Sequence, residues 1–550
     1  MNSLKNIKKY LKINKIDACL ISKNNQYLNE FIEPRENFLQ KISKFSGSLG
    51  YALISHNKQI LYVDGRYTQQ AKIQSKIFTI KDISFLRKDL ENLSINNEKL
   101  LIDPRTFSSN FINQFKFKNL VFFNSINNKR KKEKIFYLTK QYSGIDTIQK
   151  QKKLITKLKL KKNEAFLITL SENIAWLTNI RSNSKPFSKV FNCYALLNGK
   201  QIYIYSKQKV NLKLKNIIFK NEKELQKDLS KIKTIFFDKK YTSFYHYITL
   251  KNKNIKLKSI NDPIDFFKSI KNNVEISNLK ISHIFDGIAY CKFLYWIKNN
   301  KLKKVSEILC QKKVEILKKK NEFYLGPSFE TISATEKNAS IIHYNAKDFG
   351  KTYLKHGDLY LLDSGSQYFF GTTDMTRTIP LGNQNYFRKK AYTLVLKGHI
   401  AISNTNLKKH NGRTIDKIGR SYLKKYGYNY NHSTGHGVGF LSNVHETPPS
   451  ISIQSDNKFY CNQVVSNEPG FYKNNKFGIR LENLIYVNNK GFFENLTLVP
   501  FEKSMILKSM LTKKEINWIN NYHEEVYEKV QKFLNKNEKK FLEECCSKIY

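Results

Sequence analysis

A chain of 550 residues is longer than one hydrophobic core usually supports, so roughly two to four domains are expected. Its 40% hydrophobic and 13% aromatic residues exclude wholesale disorder, and no uninterrupted apolar segment reaches bilayer length. The net charge of +51 comes chiefly from lysine spread from end to end, which reads as a solvated coat and not as an arginine-based nucleic-acid face.

The opening "MNSLKNIKKYLKINKIDACLI" is basic but has neither a continuous apolar core nor a small-residue cleavage site, so no signal peptide is expected. Within it "LKNIKKYLKI" has the spacing of an amphipathic helix, and "YALISHNKQILYVDGRY" downstream reads as strands. The charged run "NNKRKKEK" at 127–134 marks the approach to a boundary. A second block follows the same pattern, with a lysine-rich helix and then "EAFLITL", "AWLTNI", "VFNCYALLNGKQIYIYS" and "KTIFFD" as apolar strand-like runs. These alternations predict two related α/β domains, 1–140 and 141–262, although no literal repeat is visible. "NDPID" at 261–265 reads as a linker with a turn. From 263 onward two long amphipathic helices precede strands and turns, and the segment from Thr512 to the end reads as terminal helices, so a third domain is expected over 263–550. Seven scattered cysteines without CxxC or regular disulfide spacing make a reducing cytoplasm the default setting.

Chemical character is concentrated in that third block. In "LYLLDSGSQYFFGTTDMTRTIPLG" two strand-like runs flank a turn region, and a hairpin could bring Asp363 and Asp374 to one place. Either aspartate alone is more often a solvated carboxylate. In "HSTGHGVGFLSNVHETP" His432, His436 and His445 are threaded by Gly435, Gly437 and Gly439. Three interior glycines argue against a helix and for backbone that comes close to something else. In "SNEPGFYKNNKFGIRLENLIYV" Glu468 precedes a Pro-Gly turn, and Glu482 interrupts an apolar strand on the same face as Arg480. A carboxylate there must be paired, protonated or metal-bound, and a structural Arg–Glu pair is a fair alternative. Asp363, Asp374, His436, Glu468 and Glu482 together make a hard, oxygen-rich ligand set. It suits manganese or magnesium, with zinc or cobalt possible, and is too anionic for one ion to neutralise well. Two divalent ions bridged by carboxylates and a hydroxide would balance it.

These segments resemble the metallopeptidases of the pita-bread fold, and within them the three-domain, cytosolic-type Xaa-Pro aminopeptidases. "ISATEKNASIIHY", "VDGRYTQQA" and "NLTLVPFEKSMI" extend the resemblance over essentially the whole chain. It implies two creatinase-like N-terminal α/β domains followed by a catalytic pita-bread domain. It assigns Asp374 and Glu482 as bridging ligands, Asp363 to one ion, and His436 with Glu468 to the other. His343, His432 and His445 match active-site histidines that contact substrate, and Arg66 matches a substrate-contacting arginine. Arg480 is counted among the substrate-binding residues as well.

The implied reaction is hydrolysis of the bond before a penultimate proline by a metal-bridged hydroxide, with Glu468 as proton shuttle and His343 or His445 donating to the oxyanion. Peptide substrates, manganese, a homodimer and a cytoplasmic location follow from the same resemblance, with no nucleic-acid or membrane partner. Prolidase of the same fold and a non-catalytic binding protein are the alternatives. Departures from the family pattern are Glu336 and Ala339 where relatives commonly carry glycine, Ser433 in place of another glycine, and Pro380 where close relatives often have histidine.

Overall fold

Short apolar runs bounded by turns account for most of the first half of the chain. The structure, a computed structural model, describes residues 3–125, 132–199, 201–253 and 255–550, so the charged run at 127–134 lies largely outside the described residues. The chain divides into two compact units. One comprises Met1–Lys140, Ile145–Lys185 and Val190–Asp265; the other comprises Gln141–Gly144, Pro186–Lys189 and Phe266–Tyr550.

The first unit holds two six-stranded sheets. The amphipathic helix Leu4–Ile13 starts at Ser3, whose side chain accepts from the Asn6 amide, and it buries Ile7 and Leu11 one turn apart. Strand Ala18–Ser22 is buried along its whole length, as its unbroken apolar run requires. It runs antiparallel to Tyr51–Ser55 and parallel to Leu100–Ile102. In the second sheet Glu164–Ile168 takes the equivalent place, antiparallel to Tyr194–Asn198 and parallel to Thr234–Phe237. The outer strands match too: an antiparallel then a parallel partner on one side, and a further parallel strand on the other. The two sheets therefore share one topology without sharing a sequence repeat.

Two expectations in this half are corrected. "AWLTNI" is mostly helix, Ser171–Thr178, which stops at Asn179 in the left-handed conformation (φ 55°) before strand Ile180–Ser182. A short apolar run has no decisive period, and asparagine is a common helix terminator. "NDPID" opens a helix, Pro263–Ser269, and does not form a bare linker. Proline sits at its first position, and the Asp262 carboxylate accepts from the Ile264 amide at 2.9 Å.

In the second unit the long helix Asn273–Lys298 begins with a capping box between Asn272 and Glu275, and Glu307–Lys318 begins at Ser306. Small sheets follow, one of three strands ordered Ile332–Thr335, Leu359–Asp363, Thr376–Pro380, and one of five containing Gly435–Gly437, Val464–Asn467 and Asn483–Val487. The terminal helices are Lys513–Val530 and Lys536–Cys546, both with capping boxes. Their Ile519, Val526 and Leu542 enter one apolar core with Leu359, Val395, Phe471 and Ile479. Among the described residues no helix is long and apolar enough to cross a membrane.

Candidate active site

The expected hairpin forms. Leu359–Asp363 pairs antiparallel with Thr376–Pro380, with Asp363 opposite Thr376. Asp374 lies two residues before the returning strand, so both aspartates stand at the same end of the hairpin. A buried network holds that end from behind. Lys318 Nζ donates to Ser364 Oγ at 2.7 Å and to the Gly365 carbonyl at 3.2 Å. Asp286 accepts from Ser366 Oγ at 2.6 Å, from the Tyr368 hydroxyl at 2.9 Å and from Thr373 Oγ1. Lys318 and Asp286 are themselves 3.7 Å apart, so both residues adjoining the aspartates, Ser364 and Thr373, are tied to one ion pair.

The glycines around His436 answer to a neighbouring strand. A methyl group at Gly435 would lie 1.9 Å from the Ser466 carbonyl oxygen, and one at Gly437 would lie 2.5 Å from that of Glu446. Any side chain there would push apart the strands that flank His436. The His436 amide donates to Ser466 Oγ at 2.9 Å, and its Nδ1–H donates to the Gly437 carbonyl at 2.9 Å. That fixes the tautomer and leaves Nε2 facing Asp374 Oδ2 at 3.4 Å and Glu468 Oε1 at 3.7 Å. Glu468 directly follows strand Val464–Asn467, its amide donating to the Thr434 carbonyl at 2.9 Å.

The run "GIRLENLIYV" is not one strand. It breaks between Phe477–Arg480 and Asn483–Val487, which belong to different sheets, and Glu482 stands at the break. Thr376 Oγ1 donates to Glu482 Oε2 at 2.7 Å. Arg480 turns its guanidinium to Asp363 Oδ2 at 2.5 Å, to Thr376 Oγ1 at 3.2 Å and to the Tyr472 hydroxyl at 2.8 Å. The ion pair is thus Arg480–Asp363, a partner that alternation along a single strand does not suggest. Tyr472 in turn lies 3.0 Å from His432 Nε2, and His432 Nδ1 lies 3.9 Å from Glu468 Oε2.

Burial pushes up the carboxyl pKa values of Asp363, Glu468 and Glu482. Asp363 is raised to about 7 by desolvation, held back by Arg480 and pushed further by Asp374 and Glu468. Glu482 is raised by desolvation and by its three carboxylate neighbours, and Glu468 is raised by desolvation against the pull of His436 and Arg480. For His436 burial disfavours the cation, yet the hydrogen bond to Asp374 and the charges of Glu468 and Asp374 prevail, raising it to about 9. Four crowded carboxylates short of positive charge are the electrostatic signature of a cation site. Two further observations fit: the buried Asp363 Oδ1 has no hydrogen-bond partner, and ligand atoms of Asp374, His436 and Glu482 lie within 4.8 Å of one another. Hard oxygens with one imidazole suit divalent ions of the magnesium, manganese or zinc kind.

The other expected residues fall as follows. The His445 ring packs edge-on against His436, with centroids 4.5 Å apart. His343 is half-buried in a turn after the short helix Glu336–Ser340. Arg66 lies in the first unit, where its guanidinium is held by Asp64 at 2.6 Å. Glu336 has φ 49° and its carboxylate is held by Arg388 at 2.6 Å. Sequence reasoning does not find Asp286, Lys318, Thr376 or Tyr472. The two helical residues carry no local signal, whereas Thr376 and Tyr472 sit inside the same motifs as the candidate ligands, and that proximity is the signal that could have found them.

Residues 277–489 match metallopeptidase family M24, and 492–549 match the C-terminal region of the same peptidases. Residues 4–124 and 126–275 each match a Creatinase/Prolidase N-terminal domain. A probable Xaa-Pro aminopeptidase P of Botryotinia fuckeliana is 30% identical over 97% of this chain and 90% of its own. The structure of an X-prolyl aminopeptidase from Caenorhabditis elegans, described as a cytosolic enzyme with a di-nuclear active site, is 27% identical. It superposes with a TM-score of 0.88, covering 97% of this chain and 95% of that one. A prolidase from Pyrococcus horikoshii is 26% identical with a TM-score of 0.53, but covers 65% of this chain. The chain belongs to metallopeptidase family M24.

Proposed function

We propose that this chain is an Xaa-Pro aminopeptidase, hydrolysing the bond between an N-terminal residue and a penultimate proline. The observation that carries it is the convergence of Asp374, His436 and Glu482, with Asp363 and Glu468 beside them, at a charge-deficient centre. Similarity over 97% of the chain to an X-prolyl aminopeptidase, against 65% to a prolidase, favours the aminopeptidase over the dipeptidase. In this reading Asp363, Asp374, His436, Glu468 and Glu482 would hold two divalent ions, with Asp374 and Glu482 shared between them, Asp363 serving one and His436 with Glu468 the other. Manganese is favoured by the hard donor set, with zinc or cobalt as alternatives. Such ions polarise a carbonyl and lower the pKa of water.

The protein's own groups supply the rest. Glu468, raised by burial, accepts a proton from the attacking water and later delivers it to the leaving nitrogen. Ser466 Oγ, 3.3 Å from Glu468 Oε1, keeps that carboxylate oriented. His343 or His445 donates a hydrogen bond to the carbonyl oxygen as it gains charge. His432, against the Tyr430 and Tyr472 rings, forms an aromatic wall suited to a prolyl ring. The prolyl nitrogen carries no hydrogen, so a slot offering no acceptor there selects it. The substrate's free α-amine lies against Asp363, which limits cleavage to the first residue. Arg480 orients Asp363, Thr376 and Tyr472. Division into creatinase-like domains at 1–140 and 141–262 and a catalytic domain at 263–550, a homodimer and a cytoplasmic setting belong to the same proposal.

The test is a cleavage assay on metal-stripped protein titrated with manganese, cobalt and zinc, comparing an Xaa-Pro dipeptide with an Xaa-Pro-Xaa tripeptide. Metal-restored cleavage of the tripeptide is expected. Cleavage of the dipeptide alone would favour prolidase, and no cleavage with any metal would sink the proposal.

A further inference from the structure

Arg377 is buried, 1% exposed, in a chain whose cations are mostly lysine. Among the described residues no carboxylate pairs with it, and every group that it meets is uncharged. Nε donates to the Pro500 carbonyl at 3.2 Å, and Nη1 donates to the carbonyls of Thr376 at 2.9 Å and Glu482 at 2.7 Å. Nη2 donates to Asn483 Oδ1 at 2.8 Å, to the Val499 carbonyl at 2.7 Å and to the Tyr522 hydroxyl at 2.8 Å. The guanidinium Cζ lies 4.3 Å from the Phe501 ring centroid. Burying a cation without a counter-ion is expensive unless its donors are all satisfied, and only a five-donor fork can satisfy this many acceptors.

The acceptors come from two places. Thr376 and Glu482 carry the hydrogen bond that orients the Glu482 carboxylate, whereas Val499, Pro500 and Tyr522 belong to the C-terminal region, which contributes none of the five candidate ligands. The Tyr522 hydroxyl also donates to the Val499 carbonyl at 2.6 Å, so the helix Lys513–Val530 is stitched to the same knot. Glu482 stands where its strand breaks between two sheets, so sheet pairing does not hold its main chain alone. We propose that Arg377 is a positioning residue that locks the Glu482 main chain to the C-terminal helix and so sets the geometry of the metal centre.

This rests on the proposed metal-dependent reading, and the experiment separates the two. Manganese binding to the metal-stripped protein is measured by calorimetry, and the visible absorption of cobalt-loaded protein reports coordination geometry. Arg377→Lys, which keeps the charge but loses the fork, is expected to weaken manganese binding ~10-fold or more and to change the cobalt bands. It should lower kcat while leaving KM for a proline peptide nearly unchanged. Tyr522→Phe, a milder change that keeps the fold accessible if the lysine variant does not fold, is expected to move both readouts the same way by less. Wild-type manganese affinity and cobalt bands in Tyr522→Phe and in any folded Arg377→Lys, with only a lowered Tm, would overturn the inference while leaving the function standing. A wild-type protein that binds neither metal would overturn the function itself.

Discussion

At Asp363 negative charge is met by a guanidinium, Arg480 at 2.5 Å, whereas at Asp374 and Glu468 it is met by the His436 imidazole at 3.4 and 3.7 Å. One side of the cluster therefore has a permanent cation and the other has one that can lose its proton. The permanent cation orients its carboxylate and occupies one oxygen, leaving Asp363 Oδ1 bare. The titratable one competes with any metal for the same nitrogen lone pair, since a ligating imidazole must be neutral. Under the proposed ligand set, metal loading would be gated by protonation on the His436 side and by geometry on the Asp363 side.

Breaking the titratable side should have the largest effect. His436→Ala or Glu468→Gln is expected to abolish hydrolysis of an Xaa-Pro peptide, and rates near wild type in either variant would refute the assignment of that side. Breaking the permanent side comes next. Arg480→Met should lower kcat by roughly 10- to 100-fold and move the acid limb of the pH–rate profile upward, because Asp363 loses the cation that restrains its pKa. An acid limb that stays in place would mean that Asp363 is held by something else.

The contrast is sharpened by pH. His436 is raised to about 9 in the folded protein, above its ordinary value near 6.5. Its stabilising contribution is therefore complete below about 6.5 and is lost as pH rises toward 9. Asp363, raised to about 7, behaves likewise from its ordinary value near 3.9, losing its contribution as pH rises through 7. The metal-stripped protein should thus lose stability on going from pH 6 to 8.5, and added manganese should restore it. The rise in Tm on adding manganese is expected to widen over that range, and a constant rise would contradict the gating. The smallest effect belongs to Tyr472→Phe, which removes the hydroxyl between Arg480 and His432. A loss of about 0.5–1.5 kcal/mol in transition-state stabilisation is expected from kcat/KM, without a change in metal content.

Motif order and residue type were legible before any fold was known. The hairpin between Leu359 and Pro380, the apolar strands and the five candidate ligands could all be read from local pattern. Local reading failed where a pattern was ambiguous over a few residues, as at "AWLTNI", or where a strand was interrupted, as at Leu481 and Glu482. It also missed the supports that come from elsewhere in the chain, such as Lys318 beneath Ser364 and Asp286 beneath Thr373.

By itself the sequence determined which donors are available and where the backbone must be bare. The glycines beside His436 are required by strand approach at 1.9 and 2.5 Å, and the hard carboxylates by their chemistry. Only the tertiary structure decided which charge meets which. Arg480 chose Asp363, 117 positions away, over the nearby Glu482, because a break in the strand turns the glutamate toward Thr376 and the guanidinium toward the hairpin. Period and propensity act over a few residues, whereas the pairing of buried charges is settled by the energy of the whole packed site.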